Sequence, residues 1–100
     1  MEVQDKIVHF NGFKCVAKIS RYLIPNIPAI ILYDIEDGQE VLRPTTNLLD
    51  VKLKYKEVFI KNYSENEGVL QALIDAGIIS EPVYKMDSGF VELYICKLLV

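Results

Sequence analysis

A chain of 100 residues with 51% hydrophobic residues and a net charge of −3 is long enough to bury one core without metal or disulfide support. The mild acidity argues against a duplex-binding domain, which is ordinarily basic, and is too slight for mimicry of nucleic acid by the whole protein. A mean hydropathy of +0.20 calls for a thick core or for apolar surface covered by a partner or a second copy.

The first ten residues, MEVQDKIVHF, lack a basic segment followed by an apolar run, so no signal peptide is expected. In KIVHF-NG-FKCVAKISRY, Asn11-Gly12 stands between two apolar runs. That is the strongest short hairpin signal, because a type I′ turn needs positive φ at both central residues. In the second run Phe13, Cys15, Ala17 and Ile19 share one face, and Lys14, Val16 and Lys18 the other, as in a half-buried strand. YLIPNIPA reads as a loop held by prolines; with Pro25, Asn26 and Pro28 inside it, the run that continues to Tyr33 is too interrupted to span a bilayer. Asp37-Gly38 marks a second hairpin, and Pro44 ends its returning strand or places it at an edge.

VKLKYKEVFIKNY alternates at first, with Val51, Leu53 and Tyr55 on one side and Lys52, Lys54 and Lys56 on the other. The shift near Glu57-Val58 predicts a bulge or a break between two strand pieces. Next, Ser64-x-x-Glu67 has the capping-box spacing. Leu70, Leu73 and Ile74, widened by Val69, Ala72 and Ala76, recur at helical spacing, which predicts a helix over 65–76. Gly77 suits a left-handed C′ position, with Ile78 folding back on Leu73. Asp87-Ser88-Gly89 predicts a third hairpin turn. The almost wholly apolar last run, FVELYICKLLV, predicts a central strand. The expected fold is α+β and one domain, 1–100: an antiparallel sheet of six to seven strands built from hairpins, with one helix packed on one face.

Chemistry is sparse. His9 is the one histidine and is expected on a partly exposed strand. Cys15 and Cys96 lie inside strand-like runs without a C-x-x-C spacing and read as buried, reduced thiols. One histidine and two strand cysteines give no zinc spacing, and the five glycines form no phosphate-binding loop. No cofactor, metal or catalytic group is assigned. Asp34, Glu36, Asp37 and Glu40 surround the second turn without the order of a calcium loop. They read as a solvated tip, with contact to a basic partner as the sharper alternative. Tyr22, Leu23, Ile24 and Ile27 form the candidate apolar contact patch, against the plainer reading of a loop folded over the core. At the helix entrance, Glu65, Asn66, Glu67 and Gly68 are a third candidate contact. Ser64 and Glu67 are explained as a cap, whereas Asn66 and Gly68 leave packing and partner contact both open.

The segments 45–48 (Thr-Thr-Asn-Leu) and 60–68 (Ile-Lys-Asn-Tyr-Ser-Glu-Asn-Glu-Gly) resemble small accessory proteins encoded on conjugative elements, plasmids and prophages. In those proteins a Thr-x-Asn-Leu segment precedes an Ile-Lys-(Asn/Asp)-Tyr-x-Glu-Asn-Glu-Gly segment and a short helix. The similarity covers roughly residues 39–82. The resemblance implies no enzymatic activity. It implies accessory work for mobile DNA, including antagonism of host defence of the anti-CRISPR or anti-restriction kind, by proteins that occupy a partner's surface.

The sequence therefore leads to a cytoplasmic, non-catalytic protein-binding factor whose partner is of the host defence nuclease type, without membrane association and with homodimerisation left open. Two alternatives stand beside it: a nucleic-acid-binding module using Lys52, Lys54, Lys56 and Lys61, and a small hydrolase built around His9.

Overall fold

A computed structural model describes residues 2–23, 26–48, 51–89 and 91–100. In chain order the strands are β1 (Glu2–Phe10), β2 (Phe13–Arg21), β3 (Pro28–Asp34), β4 (Glu40–Leu42), β5 (Thr45–Thr46) and β6 (Glu57–Lys61). A 3-10 turn (Ser64–Asn66), the helix α1 (Val69–Asp75), β7 (Tyr84–Ser88) and β8 (Val91–Lys97) follow. The architecture is α+β and antiparallel, but one expectation is corrected. The strands form two four-stranded sheets, β1-β2-β3-β4 and β5-β6-β8-β7, in place of one sheet of six to seven. The division falls at Pro44, which has no N–H to donate to a continuing ladder. Its side chain is fully buried, and its carbonyl instead accepts from Lys61 N at 2.8 Å, in the second sheet.

Turn chemistry sets most of the hairpins. Asn11 (φ 49°) and Gly12 (φ 81°) supply the two positive dihedrals that close Phe10 onto Phe13. The Asp37-Gly38 turn is longer than a two-residue loop. Gly38 N donates to Asp34 O and Asp34 N to Gln39 O, both at 2.8 Å. The third turn lies one to two residues later than expected: Ser88 pairs with Val91, so the connection is 89–90, and Phe90 lies outside the described residues. β8 runs between β6 and β7, the central place its apolar run predicts.

The segment 51–56 is not a strand, contrary to its alternation. The chain turns at Lys56 (φ 63°), and β6 begins where the pattern shifts, at Glu57. Glu57 holds that turn: it is buried, and its Oε1 accepts from Lys54 N at 2.7 Å. A turn at this point removes the ladder partners that alternation alone presumes.

The helix is shorter than 65–76. Gly68, at φ 93°, stands as its N-cap and breaks it from the preceding 3-10 turn. Ser64 is itself at positive φ and lies inside the 3-10 turn, and the N-cap of the helix is Gly68, so the capping-box reading of Ser64 and Glu67 is corrected. The cap comes from Asn62, whose Oδ1 accepts from Gly68 N and Leu70 N, each at 3.0 Å. The far end is the Schellman arrangement the sequence predicts: Ile78 N donates to Leu73 O and Gly77 N to Ile74 O, both at 3.0 Å.

The core lies between the sheets and under the helix, which packs against β1 and β6. The first sheet contributes Val8, Cys15, Ala17, Ile30 and Leu32. The second contributes Val58, Ile60 and Cys96, and the helix Val69 and Leu73. The far face of the second sheet is buried too, at Phe59, Leu93 and Ile95, so β6 and β8 are apolar on both sides. Thr45 stitches the seam. Its Oγ1 accepts from Ile30 N at 3.1 Å and lies 3.2 Å from the Tyr22 hydroxyl.

Candidate functional site

A concavity follows from strand alternation on the first sheet. Cys15, Ala17, Ile30 and Leu32 face the core. Their neighbours Val16 and Lys18 on β2, paired with Tyr33 and Ile31 on β3, therefore face outward. Val16, Ile31 and Tyr33 are only half-buried there, and Ile35 is 49% exposed. No helix or second sheet lies on this face among the described residues.

Two irregularities turn that face into a groove. In β1, Val3 pairs with Ala17 but Ile7 pairs with Val16, so residues 4–6 have no register partners on β2, and Gln4 of this stretch lines one side of the groove. Opposite it, the β3–β4 tip forms the other side. Val16, Tyr33, Ile35, Glu2, Lys18 and Asp34 are among the residues that line a concavity of about 600 Å³. Its floor is apolar, and its rim carries two carboxylates and one ammonium, with Glu2 directly opposite Lys18. Sequence reading missed it. The available signal was apolar residues out of phase with the core: Val16 between two lysines, and Ile31 and Tyr33 within an unbroken apolar run.

The predicted acidic group meets this groove at one end. Asp34 is on its rim, but the carboxylates are largely engaged in shaping the tip. Asp34 Oδ1 accepts from Glu36 N at 2.8 Å, and Asp37 Oδ1 from Gln39 N at 2.9 Å. Glu40 accepts twice from Arg43, at 2.8 and 3.0 Å, and that bond holds the Glu40 carboxyl below its usual range. Glu36 and Asp37 are exposed at the apex.

The apolar loop patch divides. Leu23 is 90% exposed, and Ile24 lies outside the described residues. Tyr22 and Ile27 are half-buried and close the loop through Tyr22 N to Ile27 O at 2.9 Å. A small cavity of about 100 Å³ adjoins it, lined by Arg21, Tyr22, Arg43 and Thr45 among others.

At the helix entrance Glu65 and Glu67 are exposed, whereas Asn66 is buried and its Nδ2 donates to Arg43 O at 3.4 Å. Gly68 serves the backbone: a Cβ there would meet only Phe10 Cε1, at 4.0 Å, while φ 93° disfavours any L side chain. Asn66 and Gly68 thus have structural roles. The two segments that carry the resemblance pair with each other, Thr45 with Ile60, so they form the seam between the sheets.

His9 is exposed on β1 opposite Lys14. Both thiols are buried and free. Burial, helped by the nearby Asp34, pushes the Cys15 thiol up; burial, helped by Glu81, pushes Cys96 up to about 12. Neither is poised as a thiolate. Lys52 and Lys54 are exposed, and Tyr55 between them is 84% exposed. The inference that Tyr55 points away from the lysines rested on a strand and does not hold in this loop. Among the described residues no group of three His, Cys, Asp or Glu side chains is arranged to hold a metal ion. No helix among them is long and apolar enough to cross a membrane.

No protein-family model matches this sequence, and comparison with curated proteins and with solved structures also returns no match.

Proposed function

We propose that this chain is a non-catalytic protein-binding factor that acts by occupying a partner's surface through the open face of its first sheet. The observation that carries this reading is the groove of about 600 Å³, with Val16, Tyr33 and Ile35 among the apolar residues lining it and the acidic tip beside it. Its complement is a protruding protein segment that presents an apolar side chain flanked by lysine or arginine. The resemblance of 45–48 and 60–68 supports work for a plasmid, conjugative element or phage inside the host cytoplasm, with a host defence nuclease as the partner class. Nucleases carry basic surfaces where they hold nucleic acid, and an acidic tip next to an apolar groove suits such a surface. The test is affinity capture from host lysate with the wild-type chain and with Val16→Lys, whose added ammonium opposes a basic partner. A partner retained by the first and lost by the second supports the reading; an identical captured set counts against it.

A second reading rests on Tyr55. Exposed between Lys54 and Lys56, with Lys52 nearby, it offers one stacking ring and positive charge in the same loop. Single-stranded oligonucleotide binding that falls with salt and is lost in Tyr55→Ala supports that reading.

A further inference from the structure

Each sheet of this fold leaves two edges, and three of the four are blunted in ways that discourage strand addition. β1 is interrupted at residues 4–6, β4 has three residues and β5 has two. β7 is different. It is a regular five-residue strand paired on one side only, to β8, in an unbroken register from Tyr84–Ile95 to Ser88–Val91. Among the described residues no strand pairs with its other edge.

The phase of that edge follows from the hairpin. Ser88 and Val91 flank a two-residue connection, so they exchange hydrogen bonds, as does every second pair, including Met86 with Leu93. Lys85 and Asp87 therefore turn their N–H and C=O groups outward. They also share one face of the sheet with Glu92 and Tyr94, the residues opposite them.

We propose that a second copy of this chain adds to this edge, β7 against β7 and antiparallel, on a two-fold axis through Met86. That register pairs Lys85 of each copy with Asp87 of the other, and the outward backbone groups of these residues supply about four hydrogen bonds. The charges single it out. An axis at Lys85 or at Asp87 also aligns outward groups but sets like charges opposite each other, which destabilises a pair of strands. The isolated hairpin carries an imbalance that this register corrects. Asp87 stands directly opposite Glu92, while Lys85 is drawn to Glu92 at 3.1 Å. Lys85 of the second copy sets a further cation directly opposite Asp87. A lone edge lysine repels a second copy; a lysine and an aspartate two residues apart attract one. Tyr84, 63% exposed at the start of the strand, and Met86 lie on the opposite face, where Met86 meets Met86 of the second copy. The result is one continuous eight-stranded sheet across the dimer, well away from the groove of the first sheet.

Sedimentation equilibrium at low ionic strength over a wide protein concentration range tests this. The wild-type chain is expected to pass from 11.4 kDa to twice that mass as concentration rises, and to dissociate as salt screens the pairs. Lys85→Asp and Asp87→Lys are each expected to stay at the monomer mass, and their equimolar mixture to regain the doubled mass, because opposite charges then face each other again. Asp87→Pro removes an outward N–H without touching the β7–β8 ladder, so it is expected to be a folded monomer by circular dichroism. A wild-type chain that stays monomeric throughout, a dimer that survives Asp87→Pro, or a mixture that does not re-associate while both variants are folded would each overturn the proposal.

Discussion

Replacing Asn62 by alanine separates the observed helix cap from the one its sequence suggests. Asn62 Oδ1 accepts from two helix-entrance donors, Gly68 N and Leu70 N, each at 3.0 Å. Removing a capping side chain costs about 0.5–2 kcal/mol, and the Leu70 amide is part-buried, so water compensates incompletely. The expected loss is about 1–2 kcal/mol. For a domain of this size, that corresponds to a fall in Tm of about 4–15 °C. Ser64→Ala is expected to stay within about 0.5 kcal/mol, because Ser64 is exposed in the 3-10 turn and is not the N-cap of the helix. Asn62→Asp keeps the acceptor oxygen and adds negative charge at the positive helix end, so it is expected to match the wild type or slightly exceed it. Urea unfolding followed by far-ultraviolet circular dichroism reads all three, provided the m-value is unchanged. A Ser64→Ala loss equal to or larger than the Asn62→Ala loss would refute the assignment.

Three further outcomes are expected. Thr45→Val keeps the shape but removes the acceptor for the buried Ile30 amide; unfolding should show a loss of about 1–3 kcal/mol. Gly68→Ala should cost about 1–2 kcal/mol through its left-handed backbone alone, since a Cβ there stays 4.0 Å from Phe10, and Gly68→Asn less, because asparagine tolerates positive φ better than alanine. For pH, Cys96 has a folded pKa of about 12 against an ordinary 9.0, and Cys15 is raised as well. A raised folded pKa means the folded state keeps its proton longer. The contribution is complete below pH 9 and is lost as pH climbs toward 12. Urea midpoints should therefore fall over that window, less steeply in Cys96→Ala after correction for its cavity, and a thiol reagent at pH 8 should label the native chain far more slowly than the unfolded one.

Local rules carried much of the fold into the sequence. The Asn11-Gly12 turn, the Schellman ending at Gly77 and the central place of β8 each depend on residues close in the chain or on a simple apolar run. What stayed hidden depends on partners distant in sequence. Lys52 to Lys56 alternate like a strand but meet no ladder, and the turn at Lys56 is held by buried Glu57. Ser64 and Glu67 have the spacing of a cap, yet positive φ at Ser64 and Gly68 hands the task to Asn62. Pro44 ends a strand as expected, but that it also divides two sheets is visible only once its carbonyl is paired with Lys61. The groove is less legible still. Val16 and Tyr33 look like ordinary strand residues, and the groove over them is completed by residues distant in sequence: Gln4 from the irregular stretch of β1 on one side and Gly38 from the acidic tip on the other.

Site-specific photocrosslinking tests the proposed contact surface most directly. A benzophenone side chain is placed at Ile35, on the groove, or at Tyr55, on the lysine loop, and each protein is irradiated in host lysate. The account predicts a discrete protein adduct from position 35 that disappears when Val16→Lys is added, and none from position 55. An adduct at position 55 with none at position 35, or a position-35 adduct indifferent to Val16→Lys, would contradict it.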